Sequence, residues 1–486
     1  MTTPLDERLE AFSVEMNGRF LRAVRGRRTT ADRGPLYRRY AELSNTQTLR
    51  LLADELAGGT GDPAEELRRL RSFAARLFID RHSEPARLRL NRAVAVARIA
   101  WDDDELGLEA ARRCLGELEH AADRRRLGGR IATAARALQP AFRAYWEERH
   151  RAAELLGCSD YAACGAAFAE LELDRWASLA AELLEQTDDI FTAALARGLN
   201  NAGLTPASCT WWDTARFLSG RHLAARFAAP PLRGAVGDWL ADWGLELPPG
   251  LQLQQTAADV PACCIPLRIP GEVYLLSPAG DGYSAHRELL HELGHGLQLA
   301  YTNPRLSTVL RLLGDRAVGE AAALLLENLL GDSRWLRRYL SATDDSVARW
   351  TRLHDLLLLR RHCALLRCEL TFHRKPGNPA VTSHCTALLQ TAAGLPPEPV
   401  PLAALVSTDF APLQYLRGRL LAAHLNTFLR REYDEDWFRN PRARDCLRDL
   451  WAMGQKPRAV EVARLCGRVD LDSSDLLAQL STAPLG

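Results

Sequence analysis

Lysine is nearly absent from this 486-residue sequence: Lys375 and Lys456 are the only two among 62 basic residues, and the rest are arginine. That bias reflects coding composition before function. Neither charge is in excess, because 61 acidic residues leave a formal net charge of +1. No bulk field therefore selects nucleic acid or an anionic membrane as a partner. No apolar run approaches the roughly 18–20 residues that a membrane span requires. The opening MTTPLDERLEAF puts charges where a secretory leader needs an apolar core. The eleven cysteines are odd in number and scattered without a framework, which suits reduced thiols in a cytoplasm. Neither a GxxxxGK loop nor a strand-GxGxxG-helix unit occurs, so nucleotide chemistry has no support. The expectation is a soluble cytoplasmic protein without repeats or low-complexity tracts.

The sequence has the composition of a globular protein, 47% hydrophobic and 25% charged. Its length exceeds what one compact core usually holds, which predicts two lobes or two interwoven helical domains. Helical periodicity dominates residues 5–200. AEELRRLRSFAARLFIDR and DRWASLAAELLEQTDDIFTAALARGL place apolar residues three and four apart. Breaks are expected at GGTGDP (58–63), NNAGLTPAS (200–208) and PPLRGAVGDW (230–239), and Asp102–Asp104 reads as a solvated helix start. Across 246–282 the texture changes. LPPG makes a turn, and CCIPLRI and VYLLS predict two short strands joined at Pro-Gly. Helices then resume, punctuated at KPGNPA (375–380) and GLPPEPVPL (394–402).

The small sheet leads into HRELLHELGHGLQLAYT, which contains HELGH at 291–295. Residues four apart share a helix face, so His291 and His295 can direct both imidazoles at one ion. Glu292 can reach the water that such an ion activates and serve as general base. The leucines from 289 to 299 support the helix independently. Gly294 and Gly296 weaken it by about 1 kcal/mol each relative to alanine, which suggests a closely packed neighbour. The plainer alternative makes both histidines ordinary core or surface residues.

A catalytic zinc usually takes a third protein ligand. RAVGEAAALLLENLL (316–330) is helical and apolar yet carries Glu320, a carboxylate costly to bury without a cation. The loop containing Asn303–Pro304 lets this helix return alongside the first. Glu327, two turns on, can support a ligand from behind, or serve as a surface or capping residue. His286 can line the site or lie at the surface. His362, Cys363 and Cys368 sit on a leucine-rich helix and read as core. Cys263–Cys264 reads as strand packing, and His384–Cys385 is a pair only by adjacency.

These features resemble the thimet oligopeptidase and oligoendopeptidase F family of zinc peptidases. The resemblance rests on HELGH followed by Gly-Leu, on VGEAAALLLENLL, on the strand pair before GYSAHRELLHELGH, and on YLRGRLLAAHLNTFLRREYDEDWFRNPRARDCLRDLWAMGQ late in the chain. It covers residues 205 to 480; before that only the helical texture matches. It implies a mostly α, two-lobed, zincin-like metallopeptidase fold with a small β-sheet beside the HExxH helix and a deep central channel. The N-terminal helical lobe would span 1–205 and the catalytic domain 206–486. It further implies one Zn2+ per chain held by His291, His295 and Glu320, with Glu292 as base and Tyr415 as the hydroxyl that steadies the oxyanion. The strand Val273–Leu276 is placed to hold an extended peptide by backbone pairing.

Two departures stand out. The family's glycine- and tyrosine-rich loop carries a histidine just before its tyrosine, whereas VSTDFAPLQYLRG lacks it and has no second tyrosine nearby. The chain is also shorter than typical members. The carboxypeptidase Taq family likewise joins HExxH to a glutamate-bearing helix and is close to this length. The expected function is hydrolysis of short unstructured peptides. The alternatives are a metallocarboxypeptidase, or the same fold serving as a tailoring enzyme or binding protein for one dedicated substrate.

Overall fold

Helical periodicity is realised through most of the computed structural model, which describes residues 2–26, 32–227, 232–256, 260–278 and 282–482. The elements that build and flank the site are, in chain order, α1 (Thr2–Arg25), α2 (Gly61–Val96), β1 (Arg98–Trp101), β2 (Asp104–Gly107), α3 (Gln139–Leu155), α4 (Tyr161–Ala169), β3 (Leu251–Thr256), β4 (Cys263–Arg268), β5 (Glu272–Pro278), α5 (Tyr283–Ala300), α6 (Arg316–Glu327), α7 (Ser346–Arg374) and α8 (Ala411–Tyr433). The first amphipathic segment lies within α2, where Leu67, Leu70, Ala74, Leu77 and Phe78 turn one stripe inward. The second is two helices, Leu173–Gln186 and Asp188–Asn201. Thr187 separates them, buried, its hydroxyl donating to the Leu183 carbonyl at 2.6 Å and accepting from Arg360 at 2.8 Å.

The breaks at 58–63, 200–208, 375–380 and 394–402 fall at helix boundaries as expected. The one at 230–239 does not. Pro230 and Pro231 lie outside the described residues, and Leu232–Trp243 is helical. Trp239 and Trp243, one turn apart, are both buried and stack at 5.4 Å, so apolar anchoring overrides Gly234 and Gly237 earlier in the same helix. Asp102–Asp104 also differs from expectation. These residues form the tip of the β1–β2 hairpin, with Asp102 in the left-handed region (φ 49°) that aspartate tolerates, and the next helix starts only at Leu108. Alternation decides the matter, because Ile99 and Trp101 face inward while their neighbours are exposed.

Both predicted strands, β4 and β5, are present, paired antiparallel; β3, which the sequence reading did not foresee, runs parallel to β5 on its other side. The order β3-β5-β4 makes Val273–Leu276 central. Its backbone groups are taken on both edges, so it cannot receive a peptide strand. The two edges belong to β3 and β4.

The principal core draws on side chains from Phe78 to Leu480, on both sides of residue 205. Within it α5 and α6 approach at Gly294, where an added Cβ would stand 2.5 Å from the Ala322 carbonyl oxygen and the Ala323 Cα. Gly294→Ala is therefore expected to cost about 1–3 kcal/mol by forcing backbones apart, measured by urea unfolding. Unchanged stability would show that the helices are not in contact there. Among the described residues no helix is long and apolar enough to cross a membrane, and all eleven cysteines are free.

Candidate metal centre

Helix α5 brings His291 and His295 onto one face, ring centres 4.9 Å apart, and α6 returns beside it with Glu320. One ligand atom from each of the three lies within 4.8 Å of the others, and no other group of three metal-ligating side chains occurs among the described residues. Helix α8 closes the far side of Glu320. A Cβ on Gly418 would fall 2.5 Å from that of Glu320, so only glycine lets α8 approach. The donor set of two imidazole nitrogens and one carboxylate oxygen is that of a catalytic zinc site.

Glu327, deeply buried, accepts a hydrogen bond from His291 Nδ1 at 2.7 Å. A carboxylate only accepts, so Nδ1 carries the proton and Nε2 offers its lone pair. Burial alone would raise the Glu327 pKa, but the Arg287 guanidinium and the His291 contact hold it low. Arg287 pairs with Glu327 and reaches Asp355 at 3.4 Å; Asp355 is held by Arg419 at 2.9 Å, and Arg419 also bonds Asn328 at 2.5 Å. This buried lattice of two cations and two anions spans α5, α6, α7 and α8 and fixes the ring of His291 from behind. Glu327 stands out in the sequence, whereas Arg287, Asp355 and Arg419 do not. A position four residues before His291 was the available clue for Arg287.

Electrostatics suit the assignment. Burial holds the His295 pKa down to about 3, with the charges of His291 and Arg316 adding to it, so the ring stays neutral and able to ligate. Burial draws the pKa of His291 down, but contact with Glu327 outweighs it and raises it. Burial raises the Glu320 carboxyl, with His291 and Arg316 opposing. Glu292 accepts the Cys264 amide of β4; burial pushes its pKa up to about 7, Glu320 and Glu288 contribute, and His291 opposes. A base with a pKa near 7 is well matched to proton transfer at neutral pH.

Tyr415 lies one turn before Gly418. Its ring stacks on His362 at 4.0 Å, and its buried hydroxyl meets no partner among the described residues. Its charged neighbours are Arg419, Asp355, Glu327 and Arg287, which places it beside the lattice behind His291. His286 is fully buried against Phe227, Nδ1 bonded to the Gly282 carbonyl at 2.8 Å, and does not line the site. Cys363 and Cys368 are core residues as expected, and His384 is exposed while Cys385 is buried.

The segment before Tyr415 is pinned at several points. Tyr161 donates to the Thr408 carbonyl at 2.6 Å, Asp409 pairs with Arg316, and Phe410 adopts a left-handed conformation (φ 54°) at the start of α8. Glu369 of α7, fully buried, accepts the Ser407 amide at 2.5 Å and its hydroxyl at 2.7 Å, while its other oxygen meets no partner among the described residues. Burial pushes this carboxyl up from 4.5 to about 7. The fold therefore favours the protonated form. Its contribution is complete below pH 4.5 and is lost as pH rises through 7, on the order of 3 kcal/mol in all. Glu369→Gln is expected to gain about 2 kcal/mol on the wild type between pH 5 and pH 8 in urea unfolding. Parallel pH curves would contradict this.

No family model and no curated protein matches the chain. Solved structures do. A structure assigned as an oligoendopeptidase F aligns with a TM-score of 0.68 at 12% identity, covering 98% of this chain and 90% of its own. Another so assigned, from Bacillus anthracis, gives 0.60 at 13% identity, covering 98% and 84%. A carboxypeptidase of Pyrococcus furiosus gives 0.62 at 14% identity, covering 98% and 96%. At these identities the likeness establishes fold alone: over nearly its whole length the chain has the helical architecture of these peptidases.

Proposed function

We propose that the chain is a metal-dependent peptidase acting on short unstructured peptides. The observation that carries this reading is the convergence of His291, His295 and Glu320 with Glu292 beside them, in a chain folded throughout like known peptidases. Zinc is the ion the donors suit, one per chain, and when bound it would polarise the scissile carbonyl and acidify a water. Glu292, oriented by the Cys264 amide, takes the proton of that water and returns it to the departing amine. Glu327 and Arg287 hold His291 in the ligating tautomer. By the resemblance Tyr415 would steady the oxyanion; its hydroxyl has no partner among the described residues, and to do so it would have to turn out from beside the lattice behind His291.

The test is metal removal. A mixture of quenched fluorescent peptides should be cleaved by the zinc-loaded protein, spared after chelation, and cleaved again once zinc is restored. Cleavage that survives verified metal loss would sink the proposal.

A further inference from the structure

A cleft of about 960 Å3 opens beside the metal centre. The three candidate ligands do not line it. Arg316, four residues before Glu320 on α6, does, together with Asp409 and Gln414 from the segment around Tyr415. Arg316 is also close enough to Glu320 and His295 for its charge to act on both. The guanidinium thus stands where the cleft meets the metal site.

The lining is unbalanced in charge. Eight arginines face six carboxylates, and each carboxylate already pairs with an arginine. Arg76 of α2 is exposed into the cleft and has no carboxylate partner among the described residues. Its charge acts directly against that of Arg316. Two guanidiniums from helices 240 residues apart are held where they repel, offset at Arg316 by its pair with Asp409 and by the Glu320 carboxylate. A divalent ion at the adjoining site would add further positive charge. A planar, fixed-charge donor such as a guanidinium is suited to a carboxylate.

We propose that the cleft selects peptides bearing an acidic side chain, and that Arg76 and Arg316 receive that carboxylate. The inference rests on the peptidase reading for its choice of a peptide as ligand. It also gives the unusual segment before Tyr415 a role, because Asp409 occupies Arg316 until a substrate carboxylate competes for it.

Binding tests this apart from turnover. The probes are labelled hexapeptides of alanine and serine carrying one glutamate at each position in turn, each matched by a glutamine counterpart. Fluorescence anisotropy is read on the zinc-loaded Glu292→Gln protein at low salt. The glutamate peptide should bind about tenfold more tightly than its counterpart at one position or more, with the ratio falling toward one at high salt. Adding Arg76→Gln should reduce the ratio below about threefold. Adding Arg50→Gln, an exposed cation on the helix Thr46–Ala57, should leave it unchanged. Absent or equal binding at every position overturns the proposal, as does a ratio that survives Arg76→Gln. Loss of binding on C-terminal amidation, with no preference for glutamate, also overturns it by placing the α-carboxylate there instead. Preferential binding without cleavage by the wild type would refute the peptidase reading and leave this one standing.

Discussion

Glu292→Gln is expected to lower kcat by about 10^3-fold while leaving bound metal unchanged. General-base catalysis supplies about 10^2- to 10^4-fold in such reactions, and glutamine cannot accept the proton. The substitution preserves shape, and the amide oxygen can still accept the Cys264 N–H that orients the side chain. Neither histidine nor Glu320 is altered, so metal stoichiometry by mass spectrometry should match the wild type. Stability should hold or rise slightly above pH 7, where the buried Glu292 carboxyl would otherwise ionise. Retained turnover would remove Glu292 from the mechanism.

The second large effect is expected from Glu320→Ala. Loss of an outer partner of a ligand typically costs 10- to 100-fold in metal affinity; loss of the ligand itself should exceed about 100-fold. Two readouts separate this from general damage. Metal-free stability should not fall greatly, because Glu320 is a buried carboxyl whose charge burial disfavours. The extra stability that zinc confers on the wild type should vanish, since a ligand stabilises only in proportion to its occupancy of the folded state. Full occupancy in the variant would place the third ligand elsewhere.

Much of the centre was legible because its parts are local. HELGH lies on one helix, where spacing alone aligns His291 with His295. Glu320 was conspicuous as one carboxylate within an apolar helix. Arg287, Asp355 and Arg419 were not legible, because their meaning lies in pairings across 64 and 68 residues. Asp355 within LHDLLLL looks like a surface break until both arginines surround it. The same limit explains the sheet. β4 and β5 are adjacent in sequence and were expected, but LQLQQT of β3 pairs in parallel with a strand two elements later. Without β3, Val273–Leu276 looked like an available edge. Among local readings, the Asp102–Asp104 error came from weighing acidic composition above the alternation of Ile99 and Trp101. Gly294 was read as marking a close neighbour, and the α6 backbone is that neighbour.

The most direct measurement is mass-spectrometric profiling of a mixed peptide library, incubated with zinc-loaded wild type beside zinc-loaded Glu292→Gln. Internal cuts made by the wild type alone are the predicted result; release of single C-terminal residues would instead identify a carboxypeptidase. Identical products from both proteins, or no products from a wild type shown to hold zinc, would contradict the assignment of this centre to peptide hydrolysis.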